Sequence, residues 1–82
     1  MNMILNPEPG TIVYCAIKNR DNYPCDVLIT GGQYESNGRL SNFWYWRRIL
    51  PDGNLGEIEH GYGYFMESPR EYEIRTQVIL KK

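Results

Sequence analysis

The run Phe43-Trp44-Tyr45-Trp46-Arg47-Arg48-Ile49-Leu50 constrains the fold of this chain more than any other segment. Its β-branched and aromatic residues suit a pleated surface. In a strand, alternate side chains point to opposite faces. Phe43, Tyr45, Arg47 and Ile49 therefore share one face, and Trp44, Trp46, Arg48 and Leu50 the other. A strand on a half-solvated sheet alternates apolar with polar residues. This one carries aromatics on both sides. One face must be core, and the other must be covered by a partner, a ligand or another part of the chain.

Eighty-two residues make a single domain, 1–82, with a turn-rich lead-in at 1–10. A chain of this size buries only roughly 60% of its unfolded surface, so large side chains must supply much of the core. Seven Tyr, two Trp and two Phe meet that need, while Ala16 is the sole alanine, against the usage expected of helices. Nine basic residues nearly balance ten acidic ones. The chain thus lacks the basic excess of a typical nucleic-acid binder, and it is too apolar for a disordered acidic tail.

Turn chemistry divides the remainder. Segment 11–18 reads as a strand apolar on both faces, hence central or wrapped around a barrel, and 23–30 as a second. Gly31-Gly32 should break that second strand. The polar stretch to Asn42 is either a functional loop or a hairpin arm with its tip at Ser36-Asn37-Gly38. The third strand is 42–50. Pro51-Asp52-Gly53 then predicts a type I turn with glycine in the left-handed position, which sets Leu50 opposite Asn54. Continued outward, that register opposes Arg47 to Glu57, Tyr45 to Glu59 and Phe43 to Gly61. It gathers Trp44, Trp46, Ile58, Tyr62 and Tyr64 into a core, with the fourth strand at 55–65. Ser68-Pro69-Arg70-Glu71 has the form of a helix cap, but Tyr72, Ile74, Thr76, Val78 and Leu80 recur with period two. The expectation is one short helical turn near 68–72 and a closing strand.

The fold class expected is mainly β: a small, twisted, five-stranded antiparallel sheet or barrel, with α+β and a C-terminal helix as the alternative. The order of elements over 11–80 resembles an SH3-like barrel in outline. The resemblance rests on no specific motif and implies no ligand and no site residues.

Catalytic signals are sparse. His60 is the single histidine, and no nucleophile–histidine–acid set can be read from spacing. Cys15, Cys25 and His60 lack the closely paired spacing of zinc ligands, so neither metal nor cofactor is expected. The two cysteines read as free thiols. The first residues lack a basic, apolar leader, and no run approaches the ~20 apolar residues of a membrane span, so the expected compartment is the cytoplasm.

What remains is the aromatic–arginine face. Phe43, Tyr45, Arg47 and Phe65 lie opposite the expected core, and Tyr34 and Arg39 extend the set from the polar loop. Aromatics and arginine are enriched at binding hot spots. The expectation is a non-catalytic module, of the accessory or inhibitory kind, that binds a larger protein partner or a second copy of itself. The alternative is a nucleic-acid-associated barrel using the same residues as a stacking platform.

Overall fold

The computed structural model describes residues 3–32, 35–36 and 39–70, and these form strands and turns with no helix among them. The strands are β1 (Met3–Ile4), β2 (Ile12–Cys15), β3 (Cys25–Gly32), β4 (Glu35–Ser36), β5 (Arg39–Leu40), β6 (Phe43–Ile49), β7 (Leu55–Tyr62) and β8 (Phe65–Glu67). Six build one antiparallel open sheet in the order β1-β8-β2-β3-β6-β7, and β4 pairs with β5 in a separate arm. The sheet therefore has one strand more than the five expected. The polar stretch takes the hairpin form, with Glu35 opposite Leu40 and Ser36 opposite Arg39.

The chain passes from β7 to β8 through Gly63 and Tyr64 alone, although β2, β3 and β6 stand between those two strands in the sheet. The sheet must curl to allow this. Phe65 of β8 consequently meets Trp44 and Trp46 of β6 edge-on, each at 5.7 Å between ring centroids. These rings, with Val13, Cys15, Val27 and Ile29, form the buried core on the concave side. Ile12 and Leu28 are buried on the other side, packed by Ile49 and Leu55. Strand β2 lies between β8 and β3, which accounts for the two-sided apolar pattern of its sequence.

Gly31-Gly32 does not end the second strand. Strand β3 runs through both glycines, with a bulge between Ile29 and Gly31, and sets Gly32 opposite Trp44. A Cβ on Gly32 would collide with the Trp44 ring. The glycine is there for a close approach, and the strand survives because that ring fills the space above it.

The Pro51-Asp52-Gly53 turn forms as its residues dictate. The Gly53 N–H donates to the Leu50 carbonyl at 2.9 Å, and the Leu50 N–H donates to the Asn54 carbonyl at 2.8 Å. Gly53 has φ +88°, and a Cβ there would meet nothing within 4 Å. Substitution therefore tests backbone conformation alone. Gly53→Val should cost about 1–2 kcal/mol, read as a lowered thermal midpoint. An unchanged midpoint would refute the strained-turn account.

The register beyond the turn departs from expectation. Ile49 opposes Leu55, but Arg47 opposes Ile58, so two residues of β7, Gly56 and Glu57, face the single residue Arg48. This bulge shifts the rest of β7 by one position, and a one-residue shift exchanges the faces. Ile58, Tyr62 and Tyr64, expected in the core, are exposed. Glu59 and Gly61 take the core-facing places opposite Trp46 and Trp44.

Ser68 behaves in part as its cap signature suggested: its Oγ accepts the Arg70 N–H at 3.2 Å, in a turn at Pro69 and Arg70. The closing strand and the alternative helix lie outside the described residues.

Candidate functional site

The outward side of the β6–β7 hairpin carries a contiguous cluster of half-buried and exposed aromatic side chains. Alternation on β6 delivers Phe43, Tyr45 and Arg47, and the shifted register of β7 delivers Ile58, His60 and Tyr62 opposite them. Phe43 is the hub. Its ring lies 5.9 Å from Tyr45, 5.8 Å from Tyr62 and 5.4 Å from the His60 imidazole. Tyr45 also packs edge-on to His60 at 6.0 Å. Such edge-on pairs stiffen an aromatic surface beyond simple burial. Tyr62 is 65% exposed and Ile58 64%, while Phe43, Tyr45 and Arg47 are half-buried.

Of the residues expected at this face, Phe43, Tyr45 and Arg47 are brought together there. Phe65 is not. The one-residue shift at Gly56–Glu57 carries it to the core side, where it is 1% exposed between the two tryptophans. Tyr34 and the side chain of Arg39 lie outside the described residues. Ile58, His60 and Tyr62 were missed as face residues, because the bulge that turns them outward has no sequence mark beyond Gly56. Arg47 does not meet Glu57 as its cross-strand partner. It opposes Ile58, and its Nε donates to the Gly56 carbonyl at 2.7 Å, which ties the guanidinium to the bulge.

Behind this face, a polar cluster closes the core. Glu59 Oε2 accepts from Arg48 Nε at 2.7 Å, and Glu59 Oε1 accepts from Arg20 Nη2 at 3.2 Å and the Tyr23 hydroxyl at 2.9 Å. The Trp46 indole N–H donates to that same hydroxyl at 2.7 Å. The Arg20 guanidinium lies over Tyr23, 4.8 Å from its ring centroid, within cation–π range. Burial alone would raise the Glu59 carboxyl, but hydrogen bonds from Arg48 and Tyr23 and the two arginine charges outweigh it and hold the group below its ordinary value. Burial, with the Glu59 charge and hydrogen bond, pushes the Tyr23 phenol up to about 12. The cluster anchors the long β2–β3 connection onto the sheet and fixes the strand that presents the aromatic face.

His60 sits against Phe43 and Tyr45, on the opposite side of β7 from the core-facing Glu59. No group of three metal-ligating side chains is assembled among the described residues. Nor is any helix among them long and apolar enough to cross a membrane. A separate cleft of about 530 Å³ is lined by residues that include Tyr14, Asp26, Leu50 and Arg70. Both its carboxylates are engaged: Asp26 accepts from Ser68 Oγ at 2.7 Å and lies 3.9 Å from Arg70 Nη1, and Asp52 accepts from the Asn54 backbone N–H at 2.9 Å and its side-chain amide at 3.0 Å.

Fold and site together describe a small, curled, antiparallel β domain with an aromatic cluster on the outer side of its β6–β7 hairpin. Compared with protein-family models, curated proteins and solved structures, the chain matches none.

Proposed function

We propose that this chain is a non-catalytic protein-interaction module that binds a larger partner, or a second copy of itself, through the outer face of the β6–β7 hairpin. The observation that carries the reading is the contiguous set Phe43, Tyr45, Ile58, His60 and Tyr62, with Ile58 and Tyr62 well over half exposed. Large apolar side chains grouped on one strand pair mark interaction sites, whereas scattered ones do not. The rings touch one another, so little side-chain entropy is lost when a partner covers them. An accessory or inhibitory role in the cytoplasm fits a module that presents its aromatic residues as a contact surface. The SH3-like barrel outline belongs to this reading and is supported by the tight corner between β7 and β8.

A nucleic-acid platform is less well supported. The formal charge is −1, and Arg47 is already committed to the Gly56 carbonyl. Salt separates the two readings, because phosphate-driven affinity falls steeply as salt rises. The test is capture of partners from the native host and sedimentation of the pure chain, each with wild type and Tyr45→Ala. Tyr45→Ala should leave the circular dichroism spectrum intact and abolish association at both 50 mM and 300 mM salt. Association that survives Tyr45→Ala would sink the proposal, as would capture of nucleic acid that vanishes at the higher salt.

A further inference from the structure

We propose that Cys15 and Cys25 form an intrachain disulfide when the protein meets a disulfide oxidant of the oxidised-glutathione class. The two residues are direct partners in the β2–β3 ladder. Directly opposed antiparallel residues have Cα atoms about 4.5–5.5 Å apart, inside the roughly 4.4–6.8 Å that a disulfide spans. Opposed side chains also leave the sheet on the same side, and both sulfurs belong to the concave core: Cys15 is fully buried within it and Cys25 packs against it. After burial, the Cys25 charge is among the influences that raise the Cys15 thiol. In the structure both are free thiols.

The two cysteines differ in access, which sets the order of events. Cys15 has no exposed surface. Cys25 is half-buried and lines the cleft beside Pro24 and Asp26. The Cys25 thiolate attacks one sulfur of oxidised glutathione and expels one glutathione thiolate. The Cys15 thiolate then attacks the Cys25 sulfur of that mixed disulfide and expels the second. Two electrons and two protons leave the cysteine pair and appear as two glutathione thiols. Burial pushes both thiols up to about 11 among the charges of Arg20, Arg48, Asp26 and Glu59, so the thiolate fraction and the rate should climb as pH rises from 7 to 9.

The bond would join the two ends of the connection that carries Ile17, Arg20 and Tyr23. Ile17 and Tyr23 pack on the core, and Arg20 and Tyr23 hold Glu59. A crosslink there restricts the unfolded chain and ties down the segment that anchors the β6–β7 hairpin from behind. The aromatic face lies on the other side of the sheet, away from the bond.

Trypsin provides a direct test, because Lys18 and Arg20 lie between the two cysteines. The pure chain is incubated with oxidised glutathione at pH 8, alkylated, and digested without reduction. Peptides 1–18 and 21–39 should emerge joined and separate on reduction. The oxidised domain should melt on the order of 10 °C higher. Cys15→Ser should stop at a glutathione adduct on Cys25. Recovery of alkylated 1–18 with Cys25 glutathionylated or joined to a second chain would overturn the proposal, as would full alkylation of both thiols.

Discussion

Replacing Trp46 with alanine should remove about 3–5 kcal/mol of stability. The side chain is fully buried. It packs edge-on against Phe65 at 5.7 Å and Tyr23 at 6.3 Å, and its indole N–H donates to the Tyr23 hydroxyl. Truncation would open a cavity at the centre of the core and leave that hydroxyl without its donor. Small domains have only about 5–15 kcal/mol to lose, so the variant should be largely unfolded near its growth temperature or melt far below wild type. Phe43→Ala, on the same strand but the opposite face, should cost about 1 kcal/mol. Urea unfolding of the two variants decides the matter. A larger loss from Phe43→Ala than from Trp46→Ala would invert the assignment of faces.

Glu59→Gln should cost about 2 kcal/mol at neutral pH, the scale of lost charge-assisted hydrogen bonds at a partly exposed site. Arg48 and Arg20 both donate to this carboxylate. The amide leaves their two charges side by side without a counter-charge. The sign of the pH dependence follows from linkage. A carboxyl held below its ordinary value in the folded state stabilises the fold above the unfolded-state pKa, and that stabilisation is lost as pH falls through the folded-state pKa. Wild type should therefore lose its advantage over Glu59→Gln as pH drops below the ordinary 4.5. Urea unfolding at pH 7, 5 and 3 measures the gap. A gap that stays constant down to pH 3 would contradict the role given to Glu59.

Local chemistry made several elements legible. Pro51, Asp52 and Gly53 specify a turn by backbone preference alone, and the turn is where they place it. Alternation along β6 separates Trp44 and Trp46 from Phe43 and Tyr45, and the two tryptophans are the buried pair. The fourth strand was harder because its register depends on a bulge. A strict ladder from Leu50–Asn54 would set Ile58 under Trp46, a hydrophobically sensible arrangement. The extra residue at Gly56–Glu57 sets Glu59 there instead, because three donors from Arg20, Tyr23 and Arg48 converge on that spot. Two of those donors come from a connection distant in sequence, so no local pattern could announce them. Phe65 fails for the same reason: alternation continues from Glu59 through Gly61 and Gly63 to Phe65, so the bulge at Gly56–Glu57 that turns Tyr64 outward turns Phe65 into the core. Even so, half of the candidate face was visible, since Phe43, Tyr45 and Arg47 depend only on β6. The other half, Ile58, His60 and Tyr62, follows from the bulge.

The central claim is that the exposed Ile58, His60 and Tyr62 of the hairpin's outer face are covered on binding, together with the Phe43 and Tyr45 rings beside them. Hydroxyl-radical footprinting of Phe43, Tyr45, His60 and Tyr62 tests it most directly, comparing dilute chain, concentrated chain and chain captured with a host partner. The account predicts strong labelling of His60 and Tyr62 in the dilute chain, and selective protection of all four side chains in the concentrated or captured state. Tyr64, outside the cluster, should stay equally labelled throughout. Protection of His60 and Tyr62 already present in the dilute chain, or labelling that no partner and no concentration reduces, would contradict it.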